Sequence, residues 1–235
     1  MTRPDDDIDG CTRSHARLLD ELARLDDETA AQPSLLPGWD VAMLVTHLAR
    51  NADSHTGMVE GAAAGEARQQ YPSQEVRERD IEAGRGRPAA EAVADLRSSI
   101  ARLESAWTAL DDEAWARVAR TTGGDPNPVA DLPFQRWREV EVHLVDLGIG
   151  FTHHEWDETY VVAELDASVA VLGDRLAPGT GIALTASDLG RRWTAGAERV
   201  TTQVEAPARD LLAWLLDRRT DGFPEIGPWK WTTRS

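Results

Sequence analysis

The chain has 235 residues, 41% hydrophobic and 28% charged, which suits one large or two small packed domains. A formal net charge of −16 would repel a phosphate backbone, so nucleic acid is not an expected partner. No apolar run reaches the roughly 20 residues of a membrane span, the opening "MTRPDDDIDGC" lacks the basic-then-apolar order of a secretory signal, and the single cysteine, Cys11, forbids an internal disulfide and a Cys-rich zinc site.

A cytoplasmic address away from membranes is therefore the expectation, and any metal must be held by His, Asp or Glu. Along the chain, Leu18, Leu19, Leu22 and Leu25 recur at helical spacing and predict a first helix over residues 8–28. "AQPSLLPGWD" reads as a loop. Asp40 at its end is placed to cap a second helix from Val41 to about Ala64, whose apolar stripe is Val41, Leu44, Val45, Leu48 and Ala52. A short helix is expected over Glu75–Ala83. Pro88 suits the first position of a third long helix ending near Leu110. "DDEAWARV" is a shorter helical piece, "TTGGDPNPVAD" is turn chemistry, and a fourth long helix runs from Leu132 to Phe151.

Four long helices with unequal connections predict a four-helix bundle over residues 1–155, an architecture that builds metal and ligand sites from facing helices. The pattern then changes. Residues 158–177 read as helix, "GIALTASD", "RRWTAG" and "RVTTQVEA" as strands, and Pro207 opens a last helix before a loop-like end, "TDGFPEIGPWKWTTRS". The expected class is α+β, with a small α+β domain over residues 156–235.

Two helices carry candidate chemistry. On the fourth, Trp137, Val140, Leu144, Leu147 and Phe151 form the apolar seam. At about 100° per residue, Glu139 and His143 lie within about 40° of each other beside that seam. Side chains at i and i+4 can share one ion, but taken alone the pair reads first as the salt-bridged flank of a helix. Asp146, one turn on, is placed to support a ligand from behind. On the second helix, His47 stands beside the apolar stripe, next to Asn51. If the two helices are neighbours, His47, Glu139 and His143 make three protein ligands, the count of an open zinc site and not of a closed structural one. His55, two turns beyond His47, lines the same cavity or is a polar core residue. His153 and His154 read as surface residues. No nucleophile elbow, P-loop or dinucleotide fingerprint occurs, and Cys11 has no activating neighbour in sequence.

"LPGWDVAMLVTHLARNAD" followed later by "RWREVEVHLVDLG" resembles the mycothiol-dependent maleylpyruvate isomerases, members of the DinB/YfiT-like superfamily of metal-binding helical bundles. The resemblance runs over essentially the whole chain and implies a DinB-like bundle followed by a small α+β domain. It places the metal ligands on His47, Glu139 and His143, usually for zinc, and an activity-supporting arginine of "DRRTDG" on Arg218, with Arg219 as its uncertain neighbour. It further implies mycothiol as the thiol cosubstrate and a small anionic or electrophilic substrate. Reversible thiolate addition would convert maleylpyruvate into fumarylpyruvate, with Arg218 holding a carboxylate. Two other readings stand beside the isomerase: a mycothiol S-transferase that conjugates the thiol to an electrophile, and a non-catalytic metal- or thiol-binding module.

Overall fold

In a computed structural model, residues 3–229 are described, and they divide into two compact units with the boundary between Phe151 and Thr152. Lys230, Trp231 and the rest of the expected C-terminal loop lie outside the described residues.

The first unit is built on four long helices: α1 (Asp5–Glu21), α3 (Val41–Ala63), α5 (Ala89–Ala109) and α7 (Leu132–Asp146). Between them lie three short ones, α2 (Asp27–Ala30), α4 (Gln74–Glu82) and α6 (Asp112–Trp115). Each long helix packs on two of the others: α3 on α5 and α7, and α1 on α7 and α5. Leu18, Leu44, Leu48, Leu96, Leu103, Val140 and Leu144 are fully buried between them. Close approach of α1 to α7 depends on Gly10, where an added Cβ would fall 2.5 Å from the Trp137 indole.

Local chemistry sets the boundaries. Asp40 caps α3 by accepting from Met43 N at 2.7 Å. The first helix is shorter than its periodicity implies. Its leucine pattern continues to Leu25, but Asp26 accepts from Thr29 N and so starts a separate turn, α2. Pro88 sits at the N-cap of α5, one place before the first helical residue. The fourth helix ends five residues before the expected Phe151, because Leu147 N closes on His143 O and Gly148 takes φ +69°, the left-handed stop that glycine supplies. Two strands escape the sequence pattern. β1 (Val118–Arg120) and β2 (Pro126–Pro128) pair antiparallel around the "TTGGD" turn.

The second unit holds α8 (Glu158–Ala170), strands β3 (Gly181–Ala186), β4 (Arg191–Gly196) and β5 (Val200–Ala206), and α9 (Ala208–Leu215). The helix expected over 158–177 breaks at Val171, after which Leu172–Arg175 form a 3-10 turn. In the sheet β3 is central, antiparallel to β4 and parallel to β5. β3 is hydrogen-bonded along both edges and is buried almost throughout. The apolar side of α9, Leu211, Leu212 and Leu215, is buried in this unit. The class is α+β. Among the described residues no helix is long and apolar enough to cross a membrane.

Candidate metal centre

The antiparallel neighbours α3 and α7 face each other through polar residues set in an apolar seam. His47 Nε2 lies 3.3 Å from Glu139 Oε2, and His143 Nε2 lies 3.2 Å from the same oxygen. The two imidazole rings are 5.0 Å apart and nearly perpendicular. The three residues are therefore brought together, each offering one ligand atom to a common point.

The surrounding sequence holds each member in place. His143 Nδ1 is 2.8 Å from Asp146 Oδ2, one turn further along α7. With its proton on Nδ1 and donated to that carboxylate, the ring turns the Nε2 lone pair toward Glu139. The loop before α3 is tied to the end of α7 by Leu35 N donating to Asp146 O at 2.8 Å. Gly38, at φ +83°, lets the chain turn so that Trp39 meets the His47 ring edge-on at 5.4 Å. The "PGWD" stretch thus supplies a turn, a wall for His47 and the cap of its helix.

Electrostatics fit a cation. Burial pushes the Glu139 carboxyl up, but the hydrogen bonds and charges of His143 and His47 outweigh it and hold the group well below the usual carboxylate range. Burial lowers His47 to about 4, so its imidazole is neutral at physiological pH. For His143, burial acts downward, but Asp146 and Glu139 together raise it. A tetrahedral zinc with bonds of about 2.1 Å has ligand-to-ligand edges of about 3.4 Å. The observed separations of 3.2 and 3.3 Å match such edges, and two imidazole nitrogens with one carboxylate oxygen are a zinc donor set, a cation there taking the place of the proton that Asp146 and Glu139 favour on His143.

One more pair bridges the same helices. Arg136, one turn before Glu139, donates from Nη1 to Asn51 Oδ1 at 2.8 Å, one turn after His47. Arg136 is completely buried. Sequence reasoning singled out Asn51 but not this arginine. The available signal was its spacing of three from Glu139, which sets it on the same side of the helix. Glu141, by contrast, faces α1 and accepts from Ser14. His55 is buried one turn beyond Asn51, and burial pushes it down to about 3 despite a hydrogen bond to the Leu132 backbone. Cys11 is buried and its thiol is pushed far up by burial, which leaves it no thiolate character.

In the second unit, Arg218 follows Asp217, a non-glycine residue at φ +57°. Arg218 Nη1 donates to Leu216 O at 2.7 Å and its guanidinium stands 5.3 Å from the centre of the Trp229 ring. Arg219 is committed to Asp210, at 2.7 Å. His153 also reaches Asp210, at 3.0 Å, so it is a half-buried partner and not a surface residue; His154 is exposed.

The family model for the mycothiol maleylpyruvate isomerase N-terminal domain matches residues 11–148. Among solved structures, that of a mycothiol-dependent maleylpyruvate isomerase aligns with a TM-score of 0.84 at 23% identity, covering 97% of this chain and 100% of that one. Its histidine-to-alanine mutant aligns with the same figures. YfiT from Bacillus subtilis, described as a probable metal-dependent hydrolase with an unusual four-helix bundle topology, aligns with a TM-score of 0.52 at 17% identity, over 62% of this chain and 83% of that one. No curated protein matches the chain. At these identities the solved structures speak for the fold.

Proposed function

Because the chain belongs to the mycothiol maleylpyruvate isomerase family, we propose that it is a mycothiol-dependent, metal-using isomerase that converts maleylpyruvate into fumarylpyruvate. The observation that carries the metal reading is the convergence of His47 Nε2 and His143 Nε2 on one Glu139 oxygen. These three residues hold the divalent ion, and the donor set favours zinc. When bound, the ion would act as a Lewis acid, a chemistry that lowers the pKa of a nearby thiol. The thiol supplies a nucleophile whose reversible addition to the activated double bond frees the carbon–carbon axis to turn, and whose loss restores the double bond in the trans form without net redox change.

The remaining work belongs to the chain's own side chains. Asp146 keeps the His143 proton on Nδ1 and fixes the ring. Burial keeps His47 neutral, with its Nε2 lone pair available at physiological pH. For Arg218 we retain the binding of a substrate carboxylate, a task its planar fork suits; support for it is the likeness of "DRRTDG" to the family's stretch.

The test is turnover of maleylpyruvate with mycothiol, before and after chelation, in the protein and in Arg218→Ala. Chelator-sensitive, thiol-dependent formation of the trans isomer, reduced at least tenfold in the variant, is the expected result. Accumulation of a stable thiol conjugate would replace isomerisation by S-transfer. Absence of any thiol-dependent product, with mycothiol bound, would leave a binding module.

A further inference from the structure

The Arg136 guanidinium is buried with none of its hydrogen bonds given to a carboxylate. Nε donates to His15 Nε2 at 3.1 Å and Nη1 to Asn51 Oδ1 at 2.8 Å. Nη2 is buried and has no partner. His15 is in turn fixed from behind. Its Nδ1 is 2.9 Å from Glu104 Oε1, so the ring donates there and accepts from Arg136. Three helices thus aim one cation: α1 through His15, α3 through Asn51 and α5 through Glu104.

A charge in such a place is costly. Removing a cation from water without a hydrogen-bonded counter-ion is unfavourable even after relaxation. Proteins avoid the cost by pairing the charge or by using an apolar residue of similar volume. Here both acceptors within reach are neutral, and the orienting bonds leave the Nη2 edge unspent. Its place in the fold gives that edge a use. Arg136–Asn51 is the next rung of the ladder whose preceding rung is Glu139–His47, between the same two helices.

We propose that Arg136 is the anion receptor of the metal centre, and that its Nη2 edge takes a carboxylate of the electrophilic substrate. This deepens the proposed function and rests on its reading of α3 and α7 as the walls of the site. It also places a fixed positive charge inside a protein of net charge −16, where an acidic substrate most needs one. His15, Asn51 and Glu104 are positioning residues. They engage Nε and Nη1, and leave Nη2 to donate to a carboxylate oxygen.

The experiment is calorimetric titration of the zinc-loaded full chain with maleate, a small cis-dicarboxylate, in the absence of thiol. Maleate is expected to bind, and Arg136→Met, which replaces a buried cation by an apolar chain, is expected to weaken it at least tenfold with zinc content unchanged. A second variant guards against misfolding. Asn51→Asp keeps Arg136 in place but gives it an internal carboxylate, and it too should weaken maleate at least tenfold. Dimethyl maleate, which has no charge, should not distinguish the three proteins. No binding to the parent chain, or equal maleate affinity in folded variants, overturns the proposal. Failure of the functional reading looks different. Maleate binding that depends on Arg136, in a protein without thiol-dependent turnover, sinks the isomerase and supports the receptor.

Discussion

Among the described residues two clusters have the same ligand types, two histidines and one carboxylate, and they differ in the surroundings a metal ion would meet. His47, Glu139 and His143 join two long helices; His153, His154 and Asp210 join a 3-10 turn to α9. In each, the candidate atoms lie within 4.8 Å of one another. The difference lies in what else the carboxylate touches. Glu139 Oε2 faces two imidazole nitrogens at 3.2 and 3.3 Å. Asp210 Oδ1 already accepts from Arg219 at 2.7 Å, so an arriving cation meets a guanidinium on the oxygen it needs. Exposure differs as well: the His154 side chain is 63% exposed, that of His47 3%. Proximity of ligand atoms is therefore a weak criterion, and the charge state and burial of the carboxylate's other neighbours separate a site from a surface cluster.

The largest expected effect breaks the comparison outright if it fails. The purified chain should carry about one divalent ion, consistent with one open three-ligand site. His47→Ala should leave almost none, whereas His153→Ala should change nothing. Metal analysis after gel filtration without chelator decides it, and loss of the ion in the His153 variant would exchange the roles of the two clusters.

A second contrast concerns protons. His15 is buried; burial, with the Arg136 charge behind it, outweighs the Glu104 hydrogen bond and sets its pKa at about 4, against an ordinary 6.5. Below pH 6.5 the unfolded chain takes up a proton that the folded chain refuses. Stability from this group is thus whole above pH 6.5 and is lost as the pH falls toward 4, reaching about 3 kcal/mol. Between about pH 7 and pH 5 His15 should account for about 2 kcal/mol of the loss, beside comparable shares from buried His47 and His55, read from urea midpoints with chelator present. His15→Gln should remove its share of that slope, about 2 kcal/mol, leaving the part due to His47 and His55, and His153→Gln should leave most of the slope. Equal slopes in the parent and His15→Gln would show that His15 is not held neutral.

The same contrast explains what the sequence made legible. The second long helix was readable almost to the residue, because Asp40 is a side-chain cap and the apolar stripe from Val41 to Ala52 repeats without interruption. Glu139 and His143 were readable as a pair because i, i+4 geometry is local. Their union with His47 needed the bundle, and the structure supplies it. Arg136 was not readable. A charged residue beside a seam has every local mark of a solvated flank, and its burial follows from His15 and Asn51, 121 and 85 residues away. β1 and β2 were missed because three-residue strands, one with proline at both ends, are too short to show alternation. The break in the first helix was missed because leucine spacing runs on to Leu25, beyond the end of α1 at Glu21, and only the Asp26 cap announces a new start. For Arg218, the assignment came from likeness to a family and not from any local geometry.

The smallest effect is the sharpest probe of why the bundle cluster differs. Asp146 touches no ion in the proposed site; it holds His143 Nδ1 at 2.8 Å. Asp146→Asn keeps the shape but swaps a carboxylate acceptor for an amide, which weakens the ring's orientation and its basicity as a ligand. Loss of such a supporting partner costs about 10- to 100-fold in metal affinity, or about 1.4–2.7 kcal/mol. Competition against a chromogenic chelator should show a shift of that size, with the ion still bound in the absence of the competitor. The graded loss matters. If Asp146→Asn abolished binding as completely as His47→Ala, Asp146 would be a ligand itself and the three-residue site would be misassigned. If it changed nothing, the Asp146–His143 bond would be a helix-end ion pair, and the bundle cluster would differ from the surface one by its burial and by the neighbours of its carboxylate alone.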